Sequence, residues 1–249
     1  MNLSEMLEFT AEQYLDDRTD LLDGDSDELW SDAVLVRLFN RAQKIMARRA
    51  WCIIEWGVPP AGTIVLATGK VLYPLHKSVL RVFDATPSTQ TAPLGRASDA
   101  YLRDPYPPDL DAFDKGVAAS INGANTYTGA PLAISTDAGT RMLRVAPEPA
   151  AAQANLRIDL KIARLPVTYL SLDDVEGEPE VPEEYHEDLC LYAAGKCLTL
   201  PNVDGEQKTE GRNLLAEFDA TVRELRRDRQ RAEYNGDRWV FASTTAILR

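Results

Sequence analysis

Histidine is nearly missing from this chain: His76 and His186 are the two present in 249 residues. Metal centres built on imidazole need more than that. The one Glu-x-x-His run, Glu183-Glu184-Tyr185-His186, supplies half of what a di-iron helix bundle requires. A resident metal is therefore not expected, and His186 reads as a polar residue in the first turns of a helix. Cysteine is scarce as well. Cys52, Cys190 and Cys197 form an odd set without zinc-type pairing. Cys190 and Cys197 would stand about 10 Å apart along one helix, beyond the span of a disulfide, so they read as buried thiols. No glycine-rich phosphate loop and no G-x-S-x-G elbow occur. Asp23-Gly24-Asp25-Ser26-Asp27 begins like a calcium loop, but Glu28 stands where glycine is needed and Val34 where the closing glutamate is needed. An acidic turn before a helix suffices. No apolar run approaches the roughly 18 residues of a membrane span, and the acidic start M-N-L-S-E-M-L-E-F-T lacks a signal peptide's basic region. The expectation is a protein kept in a cytosol, without cofactor or membrane.

What is present is ordinary in amount and uneven in placement. Apolar residues make up 45% and charged residues 27% of the chain, as in soluble globular proteins of one or two domains. The net charge is −12. Residues 1–32 hold eleven acids against Arg18, and residues 165–195 hold nine acids and no lysine or arginine. The remainder is net basic, with Arg223, Arg226, Arg227, Arg229 and Arg231 clustered late. An acidic chain is a poor nucleic-acid binder, because that affinity comes mainly from neutralising phosphates. Glu224, Asp228 and Glu233 interrupt the arginines. The run reads either as a solvated helix face with i, i+4 ion pairs or as a basic helix facing another subunit, an acidic partner or nucleic acid.

Periodicity places the elements. Leu3, Met6, Leu7, Tyr14 and Leu15 predict a helix over 3–16. Ser31 is a good N-cap for a second helix to about Arg49, through Val34, Leu38, Ala42, Ile45 and Met46, with Trp30 and Leu35 as a hydrophobic staple. Strands are expected at Thr63–Ala67, Lys70–Tyr73, Ser78–Phe83, Leu132–Ser135 and Arg141–Val145. The last two suit a hairpin. The clearest strand alternates Leu156, Ile158, Leu160 and Ile162 with Arg157, Asp159, Lys161 and Ala163. Residues 86–128 show little pattern, with short helices possible at Ala97–Leu102 and Leu110–Phe113. From Val181 a helix hairpin follows. Tyr185, Leu189, Tyr192 and Ala193 form one stripe, Pro201 to Gly205 a break, and Leu214, Phe218, Val222 and Leu225 a second stripe. Nothing in it looks catalytic.

After Asn235-Gly236 the chain carries Trp239, Val240, Phe241, Ile247, Leu248 and Arg249. These are too apolar for a solvated tail. Either the tail folds back as an edge strand, or it reaches into a partner as an added strand or groove anchor.

Four segments together resemble a known family. They are W-S-D-A-V-L-V-R-L-F-N-R-A-Q (Trp30–Gln43), R-M-L-R-V-A-P-E-P (Arg141–Pro149), V-P-E-E-Y-H-E-D-L (Val181–Leu189) and S-T-T-A-I-L-R (Ser243–Arg249). The chain resembles the head-to-tail adaptor, or neck, proteins of tailed and especially short-tailed bacteriophages, over residues 10–50 and 130–249. The resemblance implies a structural virion protein of the neck, assembled in the bacterial cytoplasm. It implies a dodecameric ring of its own copies beneath the portal protein, joined to a distal tail or nozzle protein, with genomic DNA passing through without specific binding. It also implies that the C-terminal segment lies along the portal, and acidic segments such as Glu178, Glu180 and Glu183 would suit the lumen by repelling phosphate.

The expected architecture is α+β. Residues 1–50 and 181–235 form a helical core, 51–180 a β-rich insertion, and 236–249 an extended C-terminal tail. No enzymatic activity is expected. The rivals are a neck-associated cell-wall glycan hydrolase, which needs two carboxylates about 5–10 Å apart in a cleft, and a DNA-binding protein using the arginine-rich helix.

Overall fold

A computed structural model describes residues 1–15, 30–90, 93–96, 128–131, 133–136, 139, 141–146, 148–200 and 203–246, leaving aside the side chains of 128–129 and 232–246. The architecture is mixed α+β, in two compact units: Met1–Ile53 with Leu165–Arg249, and Ile54–Arg164. The short helices expected at 97–102 and 110–113 and the acidic turn at 23–27 lie outside the described residues.

Among the described residues, the first unit is built from four α-helices. Helix α1 (Leu3–Thr10) starts in a capping box: the Asn2 side chain accepts from the Glu5 N–H at 2.9 Å, and the Glu5 carboxylate accepts from the Asn2 N–H at 3.0 Å. Two of the orphan donors at the helix start are satisfied this way. A π turn, Ala11–Leu15, continues it. Helix α2 (Asp32–Ala50) follows the serine cap by backbone geometry, although the Ser31 side chain makes no capping bond. Its inward face, Leu35, Phe39, Ala42 and Met46, keeps the 3–4 spacing of an amphipathic helix. Trp51 ends it in the left-handed conformation, φ 54°.

Helix α3 (His186–Leu198) departs from the single stripe expected of it. Leu189, Cys190, Leu191, Tyr192, Ala193 and Ala194 are buried in succession, because α1, α2 and the last helix all pack on it. Helix α4 (Gly205–Ala246) has 42 residues, about 63 Å at the helical rise. Phe218, Val222 and Leu225 face the core. The two helices meet at a pair of glycines. A Cβ on Gly195 would lie 2.9 Å from the Gly211 carbonyl oxygen, and one on Gly211 would lie 2.8 Å from the Leu198 Cβ.

The extended tail expected from residue 236 is a correction: the backbone stays helical as far as Ala246. Asn235 and Gly236 each disfavour helix by about 1 kcal/mol or less. A helix already nucleated over thirty preceding residues absorbs that, since extension is easy once the first turn exists. Ile247, Leu248 and Arg249 lie outside the described residues.

The second unit holds the strands. The first sheet centres on β10 (Arg157–Arg164), with β1 (Ile54–Trp56) and β2 (Thr63–Val65) along one edge and β4 (Val79–Pro87) along the other, all antiparallel. The second runs β3 (Leu72–Pro74), β8 (Met142–Ala146), β7 (Ala133–Ser135), β5 (Gly95–Arg96). Strands β7 and β8 pair antiparallel and β5 joins in parallel. A two-stranded pair, β6 (Thr128–Gly129) and β9 (Glu148–Pro149), completes the set. Both larger sheets contribute to one core, where Ile158, Leu160 and Ile162 of β10 meet Tyr73, Ile134, Leu143 and Val145. The alternation read in the sequence holds from Arg157 to Ile162, with Ile158, Leu160 and Ile162 fully buried between more exposed Arg157, Asp159 and Lys161, and breaks at Ala163, which is also fully buried.

Candidate partner-binding surfaces

The five late arginines do not form one patch. They stand on a single helix, so the angular order of their side chains decides what each can touch. Positions 222, 225 and 229 turn toward the core and 223, 227 and 231 about half a turn away from it. Arg226 is partly buried and ties α4 to the end of α2. Its Nη1 donates to the Arg49 carbonyl at 2.8 Å, and its guanidinium lies 4.5 Å from the Trp51 ring centroid. That carbonyl is in the last turn of α2, where helix oxygens lack intrahelical partners. Arg49 in turn reaches Asp219 at 2.6 Å. Arg229 is partly buried, with its charge near Cys52 and Tyr185. Arg223, Arg227 and Arg231 stay exposed. Beside them runs a solvent-open groove of about 380 Å³, lined by Ala220, Arg223, Glu224, Arg227, Asp228 and Arg231. Arg231 approaches Asp228 at 3.5 Å. A groove walled by one helix and lined by charge lacks the apolar enclosure of a small-molecule pocket.

The acidic segment between the units' last strand and α3 is a held loop. Asn40 of α2 makes two bonds to the backbone of one residue: its Nδ2 donates to the Leu170 carbonyl and its Oδ1 accepts from the Leu170 N–H, both at 2.9 Å. The Leu3 N–H donates to the Gly177 carbonyl at 2.9 Å and the Ser4 N–H to the Val175 carbonyl at 3.0 Å. The loop thus caps the start of α1. Glu180, expected among the lumen acids, is part of this scaffold. Its carboxylate accepts from the N–H groups of Val167, at 3.0 Å, and Thr168. Its own N–H donates to the buried Gln43 at 3.2 Å. Glu178 and Glu183 are exposed. So are Val167, Tyr169, Leu172 and Val175, each between 44% and 48%. The sequence pattern did not single out these four, because they fall in no periodic element. A second exposed set, Trp56, Val58 and Val65, belongs to the β unit.

His186, expected as a polar residue of the first helical turns, is buried and structural. Its Nδ1 accepts from the Met1 amino group at 3.0 Å and its Nε2 donates to the Val181 carbonyl at 2.9 Å. All three cysteines are buried and outside any disulfide. Burial pushes the Cys52 and Cys190 thiols up to about 12, so neither is a thiolate at neutral pH. Burial also raises the Asp188 carboxyl. The Thr221 hydroxyl opposes the shift, and Glu217 and Glu187 add to it. That carboxyl is braced by the neighbouring helix through Thr221. Of the apolar candidates, Trp239, Val240 and Phe241 fall within α4. Ile247, Leu248 and Arg249 are outside the described residues. Among the described residues, no helix is long and apolar enough to cross a membrane.

An α+β chain of two compact units, distinguished by exposed charged and apolar surfaces, has the features of a structural assembly protein. Comparison with known families gives the particular one: residues 1–240 match the model of the SU10 adaptor protein, and the chain belongs to that family. The family is one of phage head-to-tail adaptors, structural components of the virion neck that associate with portal and tail proteins. No curated protein matches the chain.

Proposed function

We propose that this protein forms a ring of its own copies under the portal of a short-tailed phage and connects it to the tail, with the genome passing through the middle. The copy number carried over from the resemblance is twelve. The observation that carries this reading is the family match over residues 1–240. The charge of the chain supports it: a net charge of −12, repeated around an axis, repels phosphate and lets a duplex slide without sticking. The exposed acids Glu178 and Glu183 are the candidates for the channel wall. Portal docking is assigned to the end of the chain, through Trp239, Val240, Phe241, Ile247, Leu248 and Arg249. Apolar side chains at a helix end suit a hydrophobic groove on a partner.

The test is light scattering of the full chain, mixed with the portal protein of the same phage, beside a chain ending at Gly236. A ring-sized complex that is lost on truncation supports both the adaptor reading and the role of the end segment. Binding by the shortened chain would move docking elsewhere on the molecule. No complex with either chain would overturn the reading.

A further inference from the structure

We infer that copies of this protein join through two different surfaces of the helical unit: the loop 167–178 of one copy against the Arg223, Arg227 and Arg231 stripe of the next. This rests on the ring proposed above and names the contact that builds it. The loop has an unusual composition for an exposed segment. Val167, Tyr169, Leu172 and Val175 show apolar surface, interleaved with Asp173, Asp174, Glu176 and Glu178 and without a single lysine or arginine. Its backbone is fixed before any partner arrives, by Asn40 on Leu170, Glu180 on Val167 and Thr168, and the α1 start on Val175 and Gly177. A surface ordered in advance loses little freedom on binding. The Tyr169 ring is already met by Lys44 of the same copy, 4.3 Å from its centroid, so the carboxylates set among apolar groups are what remains for a neighbour. A guanidinium suits them over an ammonium, because it is weakly hydrated and forks onto carboxylates.

The same chain presents such a cation set. Arg223, Arg227 and Arg231 recur every fourth residue on the face of α4 turned away from its own core, all exposed. The partly buried Arg226 and Arg229 are spent inside the unit. Nucleic acid is the weaker occupant for the stripe, because Glu224 and Asp228 stand between the arginines and oppose phosphate. For the loop, nine acids over residues 165–195 exclude it. Two unlike surfaces on one chain make a heterologous contact, the kind that builds a ring when its rotation closes. Charge pairing of this kind fixes partner and register.

The experiment reverses each side and then both. Arg227→Glu with Arg231→Glu, Asp173→Arg with Asp174→Arg, and the fourfold variant are each mixed with the portal protein and weighed by mass photometry across concentration. All four positions are exposed, and circular dichroism confirms that each variant folds. Either one-sided reversal is expected to raise the half-assembly concentration about tenfold or more. The fourfold variant is expected to recover most of the loss, and added salt to weaken the wild-type assembly. If the one-sided variants assemble like wild type, or the fourfold variant is no better than either, the contact is wrong although the ring stands. Should wild-type protein itself form no oligomer on the portal, the adaptor-ring reading fails first. If an equimolar mixture of the two one-sided variants assembles no better than each alone, pairing between copies is also refuted.

Discussion

A close approach of two helices in the helical unit gives a sharp test. At Gly195 and Gly211, α3 and α4 touch backbone to backbone, and an added methyl has no room. The Gly195 Cβ would stand 2.9 Å from both the Gly211 carbonyl oxygen and the Leu215 Cγ. The Gly211 Cβ would stand 2.8 Å from the Leu198 Cβ and 3.0 Å from the Gly195 carbonyl oxygen. Both lie inside helices, where glycine is about 1 kcal/mol worse than alanine. Propensity alone therefore predicts that alanine stabilises by about that much. Overpacking opposes it by about 1–3 kcal/mol. A carbonyl held in a helix cannot rotate aside, so the upper half of that range applies. The net expectation for Gly211→Ala is a loss of about 1–2 kcal/mol, with Gly195→Ala somewhat less because the Leu215 side chain can yield. Gly205, with nothing within 4 Å of its missing Cβ, is the control: Gly205→Ala should be neutral or slightly stabilising. The double variant should cost less than the sum, since one separation of the helices serves both methyls. Urea unfolding followed by helical circular dichroism follows the unit, because the four α-helices among the described residues belong to it. If Gly195→Ala and Gly211→Ala both stabilise as propensity predicts, the helices are not packed this closely and the reasoning fails.

Arg226→Ala should destabilise the helical unit by about 1–3 kcal/mol, because it removes both the bond to the Arg49 carbonyl and the stack on Trp51. Arg227→Ala, one residue on and exposed, should stay within about 0.5 kcal/mol in the same melt. Asp188 has its carboxyl raised in the folded state, so ionisation there disfavours folding. The penalty is absent below its unfolded pKa and complete above its folded one. Stability of the wild type relative to Asp188→Asn should therefore fall as pH rises through that window, measured by unfolding at several pH values; a pH-independent difference would contradict the burial argument. Cys52 and Cys190, with thiols pushed up to about 12, should resist a thiol reagent at neutral pH and react only when urea opens the unit. Fast labelling in the native protein would show that the core is not closed around them.

Much of this was legible because it repeats locally. The alternation of β10, the 3–4 spacing of α2 and the stripe Phe218, Val222, Leu225 each record a face turned to a core, and period alone reveals such faces. The late arginines were also visible as a cluster. Their division was not. Whether Arg226 or Arg227 meets solvent depends on which side of α4 lies against α2, and a run of letters carries no such direction. The same limit explains α3. Its sequence shows one apolar stripe, yet small residues such as Ala193, Ala194 and Gly195 let neighbours approach from every side, so its burial follows from where α1, α2 and α4 stand. Glu180 read as one more acid in a solvated acidic run. Two backbone N–H groups twelve and thirteen residues earlier made it a clamp. The reading of an extended tail failed for a related reason: Asn-Gly marks a turn in isolation, while a long helix already formed carries on through it. Sequence by itself determined the class of the fold, the strand and helix faces and the family, since these depend on spacing and composition along the chain. Only the tertiary structure decided which charges hold the protein together and which remain outside for a partner, because that choice depends on distances between residues far apart in sequence.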